Sequence, residues 1–94
     1  MTTCRWSEHA LSNLTDRSID REEAERILLG PAKTVEGRWG RKVLMGTYFD
    51  RELGERMLLR IVIENVRGET VVVTLYKTSR IGKYLSGADQ GAGP

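Results

Sequence analysis

The chain holds one histidine, His9, and the side chains around it set the first chemical question. In "SEHALSNLTDRSI", His9 is followed by Asn13 and Arg17 at steps of four. On a helix these three form one oblique stripe. Further along, Arg60 interrupts an apolar run, "RMLLRIVIE", and Thr74 and Tyr76 follow in "TVVVTLYK". This set suits metal-independent cleavage of RNA. That reaction needs a base for the 2′-hydroxyl, donors for the crowded phosphorane, and an acid for the departing 5′-oxygen. Histidine titrates in the right range for either proton role. His9, Arg17, Arg60, Thr74 and Tyr76 are therefore the candidate catalytic set.

Each residue also has a plainer reading. His9 sits in a first helical turn, where it caps, packs or faces water. Arg17 lies near a helix C-terminus, which favours a cation. Thr74 and Tyr76 are good strand formers. Arg60 needs a partner among apolar neighbours, and Glu64 or an acid on another strand is the expected one.

A second group is "GRWGRK", where Arg38, Arg41 and Lys42 flank Trp39. An exposed indole among cations stacks on a base while the cations hold phosphates. The alternative is a hairpin whose Trp39 folds back onto the core. Lys77, Arg80 and Lys83 in "YKTSRIGKY" extend this candidate nucleic-acid surface.

The elements that must position these groups are legible. Ser7 is a suitable N-cap for a helix over 7–17, with Ala10, Leu11 and Leu14 on one face. Asp20 opens a second helix, with Glu23 completing a capping-box pattern. Ala24, Ile27 and Leu28 are its apolar stripe, and Gly30-Pro31 ends it. The period then changes to two. "AKTVEG", "KVLMGTYF", "RMLLRIVIE" and "TVVVTLYK" read as strands, with "DRELGE" a polar loop and "NVRGE" a tight turn. Short connections imply an antiparallel meander.

Alternation assigns Val43, Met45, Phe49, Leu59, Ile61, Ile63, Val71, Val73 and Leu75 to the face under the helices. Leu44, Tyr48, Leu58, Arg60, Val62, Val72, Thr74 and Tyr76 fall on the other. That mixed face should meet a second subunit, a ligand or the C-terminal segment. The expected fold is α+β, two N-terminal helices packed on one face of a three- to four-stranded antiparallel sheet. Residues 1–85 make one domain, and 86–94, "SGADQGAGP", read as a disordered tail.

Composition narrows the rest. The 94 residues suit a single domain. No apolar run approaches ~18 residues, so no membrane span is expected. Cys4 is the lone cysteine, so no disulfide or zinc site is expected, and no cofactor. The start lacks a signal-peptide pattern, which points to the cytoplasm. Of 15 cations 11 are arginine, the side chain that grips phosphate with a planar fork, yet the net charge is only +2.

His9, Ala10, Leu11, Arg17 and Ile19, the "DREEAERIL" helix, Pro31, and Val72, Val73, Thr74 and Tyr76 together resemble a known family. It is the bacterial family of unknown function numbered 4258, and the resemblance spans residues 5–78. Its first helix typically reads His-x-x-x-Arg-x-x-x-Arg-Gly-Ile. This chain departs from it at Asn13 and Ser18. The resemblance implies a RelE-like fold, shared by metal-independent ribonuclease toxins of the barnase, EndoU, colicin and RelE group. It implies RNA or DNA as ligand and an antitoxin-like protein as partner. A non-catalytic nucleic-acid-binding module, or a dimeric protein-interaction module, is the alternative.

Overall fold

The computed structural model describes residues 4–85. Strand β1 (Cys4–Trp6) leads into helix α1 (Glu8–Asp16), then α2 (Arg21–Leu29). Strands β2 (Lys33–Glu36), β3 (Lys42–Asp50), β4 (Glu55–Val66) and β5 (Glu69–Thr78) follow, and a short helix α3 (Ile81–Leu85) comes last. The strands form one sheet in the order β1-β5-β4-β3-β2. The fold is α+β as expected, but the sheet has five strands and is mixed. The chain from β2 to β5 is the antiparallel meander, whereas β1 pairs parallel with β5. Three residues carry too little alternation to announce a strand, so β1 had no sequence signal.

The helix boundaries follow their caps. Ser7 accepts the Ala10 N–H at 3.0 Å. Asp20 accepts the Glu22 N–H at 2.9 Å, and Glu23 pairs with Arg26 instead of completing the box. Gly30 is the C-cap of α2. The β4–β5 turn carries Arg67 at φ 53° and Gly68 at φ 81°. Two successive positive φ values are the signature of the two-residue turn whose twist matches the strands.

Helix α1 lies along β5, and α2 lies across β3 and β4. Ala10, Ile19, Ala24 and Ile27 pack on Leu44, Tyr48, Met57, Leu59, Ile61, Val72 and Leu75. Gly46 lets α2 come close, because a Cβ there would lie 2.8 Å from Ile27 Cγ1.

The two sheet faces differ from the expected assignment in two strands. Leu44 is opposite Ile61 and Met45 is opposite Arg60, so in β3 it is Leu44 and Tyr48 that face the helices. Val43 and Met45 belong to the other face, with Leu58 and Val62. Alternation gives the parity of each strand separately, and only the pairing register says which parity goes inward. In β5 a bulge opposite Val62/Ile63 resets the alternation. Val72 and Leu75 therefore face the helices, and Val73 packs on the opposite cluster.

That second face is covered by the C-terminal segment, one of its three expected occupants. Ile81, Tyr84 and Leu85 of α3 pack against Val43, Met45, Leu58 and Val62. Lys33 Nζ holds the segment by donating to the Tyr84 carbonyl at 3.0 Å. The expected tail, 86–94, lies outside the described residues.

Candidate functional site

The N-terminal stripe divides into three fates. His9 is exposed, and its side chain makes no hydrogen bond or ion pair among the described residues. Asn13 is buried, and its Oδ1 accepts the Leu75 N–H at 3.1 Å and the Thr74 hydroxyl at 2.6 Å. Arg17 is exposed and donates through Nη1 to the Leu75 carbonyl at 3.0 Å. Beyond the short β1, then, α1 occupies the open edge of β5. Asn13 and Arg17 satisfy both backbone groups of Leu75, as a neighbouring strand would. Across the sheet, Arg26 does a related job, donating to the Thr47 carbonyl at 3.0 Å.

Arg60, Thr74 and Tyr76 share a face as strand parity predicted: Arg60 is opposite Tyr76, and Val62 is opposite Thr74. Arg60 is only 2% exposed. Its Nη1 donates to the Tyr76 hydroxyl at 2.6 Å, and the Tyr84 ring covers its guanidinium at 4.1 Å. Glu64, one of the expected partners, pairs with Arg41 at 2.9 Å. A guanidinium stacked on an aromatic ring tolerates burial because the ring face is negative.

The structure thus joins Arg17, Tyr76 and Lys77 around one shallow cleft. It places Arg60 beneath α3 and bonds Thr74 to Asn13. His9 stands eight residues before Arg17, about 12 Å along the helix axis at ~1.5 Å per residue.

Lys77 differs most from its expected role. Its Nζ lies 2.6 Å from Asp50 Oδ2 and 3.1 Å from the Ser18 carbonyl. Tyr48 donates its hydroxyl to the same Asp50 carboxylate at 3.2 Å, and the Leu53 N–H donates to Oδ1. The Lys77 ammonium holds the Asp50 carboxyl below its ordinary range, helped by the Leu53 N–H. Burial, and then the Asp50 charge, push the Tyr48 phenol well above its ordinary value. This buried trio was missed because its members lie on three segments of different expected role. Asp50 read as the first residue of a loop and Lys77 as part of a cationic surface. The trio borders a cleft of about 400 Å³ between the start of α2 and the end of β3, lined by Asp20, Glu22, Glu23, Phe49 and Glu52 among others.

The "GRWGRK" segment forms the tip between β2 and β3. It closes on itself through Gly37 N–H to the Arg41 carbonyl, 2.7 Å, and Arg41 N–H to the Arg38 carbonyl, 3.1 Å. Between them the chain makes a tight turn over Arg38–Gly40, with Trp39 at φ 55°, ψ 40° and Gly40 at φ 73°. Trp39 does not fold back onto the core; it is 82% exposed. Arg41 lies over its ring, Cζ 6.0 Å from the centroid, while Arg38 and Lys42 are exposed beside it. A bulky residue in the left-handed region costs about 1–2 kcal/mol, and here no burial offsets that cost. Arg80 and Lys83 are exposed at the start of α3, the latter 5.4 Å from the Tyr84 ring.

Among the described residues, no group of three or more His, Cys, Asp or Glu is placed to hold a metal ion. Nor is any helix long and apolar enough to cross a membrane. Cys4 is half-buried, and burial raises its thiol pKa. Comparison with protein-family models, with curated proteins and with solved structures finds no match for this chain.

Proposed function

We propose that this chain is a small RelE-like protein that binds RNA through the β2–β3 tip. The observation that carries this reading is Trp39, 82% exposed on a strained backbone and flanked by Arg38, Arg41 and Lys42. A ring face supplies stacking and the cations supply phosphate contacts, which is how sequence-tolerant nucleic-acid binders work. The α-α-β meander order and the resemblance of residues 5–78 support the RelE-like assignment and RNA as ligand.

The test is binding of a labelled RNA across a salt series. Affinity falls as salt rises, with a log–log slope of about −0.7 per phosphate contact on single strands. Arg38→Ala with Lys42→Ala flattens that slope. A protein that binds no RNA, or binds with no dependence on salt, sinks the proposal.

Metal-independent cleavage is the second reading, favoured by the cleft that joins Arg17 with Tyr76 and Lys77. There Arg17 keeps guanidinium donors beyond the one given to Leu75, and Tyr76 is held by Arg60. His9 is remote along α1, so on this reading a second copy supplies the histidine. RNA that survives prolonged incubation with the protein in EDTA sinks cleavage and leaves binding standing.

A further inference from the structure

We infer that Trp39 stacks on an unpaired base, so that the ligand class of the β2–β3 tip is single-stranded RNA. This rests on the RNA-binding reading and narrows it. Three independent features of the tip point the same way. The indole is almost wholly exposed, so its surface contributes little to holding the fold together. Its backbone sits at φ 55°, a region that disfavours large side chains, and a glycine would adopt it freely. A strained, exposed aromatic has no folding reason to be where it is, which is the pattern of a residue retained for contact with something else.

The third feature is the placement of Arg41. Its Nε is fixed by Glu64 at 2.9 Å, and its guanidinium lies over the indole. One side of the ring thus faces a cation held in position from β4. The other side remains for a single flat partner. A base fits that slot, with its phosphates within reach of Arg38 and Lys42.

A duplex does not fit it. Inside a helix each base already has both faces stacked, so one protruding ring gains a base face only after a base is pulled out, which costs free energy. An unpaired strand offers base faces without that cost. The tip, two strands wide with one indole at its apex, is a narrow probe suited to a flexible strand.

The experiment follows tryptophan emission as a 12-nucleotide RNA is added, alone or annealed to its complement. The single strand quenches emission, and the quench is absent from Trp39→Phe, where Trp6 remains as an internal reference beneath Arg21. Trp39→Phe keeps most of the affinity, because a phenyl ring still stacks. Trp39→Gly binds the single strand about tenfold more weakly or worse, the range for loss of one base stack. It melts no lower than the parent, because glycine relieves the left-handed backbone. The duplex binds more weakly and leaves emission unchanged. Salt-dependent binding of strand and duplex alike, with no change in Trp39 emission, overturns the stacking inference and leaves RNA binding intact. Absence of binding to either overturns both.

Discussion

Lys77 Nζ and Asp50 Oδ2 lie 2.6 Å apart, with side chains only 14% and 4% exposed. The pair ties the end of β5 to the end of β3 across the intervening β4. It is braced by the Ser18 carbonyl on one side and the Tyr48 hydroxyl on the other. Removing Lys77 leaves the Asp50 carboxylate at the wall of the cleft with the Tyr48 hydroxyl and the Leu53 N–H as its donors. Lys77→Met should therefore cost about 1–3 kcal/mol, the range for a charged group that loses one of its hydrogen-bond partners. Urea unfolding measures it. Pairing Lys77→Met with Asp50→Leu should recover most of the loss, since an apolar pair leaves no orphan charge.

The same carboxylate sets the acid limit. The folded-state pKa of Asp50 is lowered, by Lys77 first and the Leu53 N–H second, from an ordinary value of 3.8. A lowered pKa means the folded form binds its proton less readily than the unfolded form. Its contribution is therefore present above 3.8 and is lost as pH falls through the lower folded value. Urea midpoints measured from neutral pH to pH 2 should drop steeply below about pH 4, and Asp50→Asn should flatten that drop.

At the alkaline end the sign is opposite. Tyr48 is raised by burial and by the Asp50 charge, so it stays a phenol past its ordinary value of 10.0. A raised pKa gives stability that is present below the unfolded value and lost as pH rises through the folded one. Ultraviolet titration should show Tyr48 ionising above its ordinary range, and Tyr48→Phe should remove that step.

Asn13 accepts two hydrogen bonds at the β5 edge. Asn13→Leu leaves the Leu75 N–H and the Thr74 hydroxyl without that acceptor, at a cost of about 1–3 kcal/mol. Asn13→Arg, which restores the residue of the resembled pattern, supplies only donors and should be no better. Hydrogen exchange at the Leu75 amide should accelerate in both.

Gly46→Ala tests the approach of α2 to the sheet. The new methyl meets Ile27 Cγ1 at 2.8 Å, so helix or side chain must shift, at about 1–3 kcal/mol. Gly46→Ala and Ile27→Ala together should cost less than the sum of the two single losses, because the shortened side chain leaves room for the methyl, and thermal melts of the three variants would read that shortfall.

Much of this was legible from residue order. Ser7 and Asp20 announced both helix starts, and Gly30-Pro31 announced a stop, because caps act within one turn of chain. Alternation located β2 to β5. What stayed hidden depends on contacts between distant segments. The register of β3 on β4 decides whether Leu44 or Val43 faces the helices, and nothing inside β3 encodes it. The β5 bulge is invisible in "TVVVTLYK", since a run of valines reads the same in either phase. Arg60 was rightly singled out as an oddity. Its cover, Tyr84, came from a five-residue helix too short to show a period. Trp39 was recognised as a candidate, but its left-handed backbone depends on how Gly37 and Arg41 close the loop.

The way α1 meets β5 has a consequence for the cleft beside it. Because Asn13 and Arg17 together engage the N–H and carbonyl of one residue, Leu75, the helix is indexed to the sheet like a gear tooth in its notch. It cannot slip by a turn without leaving both groups of Leu75 unmet. Tyr76 and Lys77 follow immediately in β5, so the two side-chain bonds to the Leu75 backbone also hold Arg17 beside them. Any anion held between them would meet a jaw braced against the sheet.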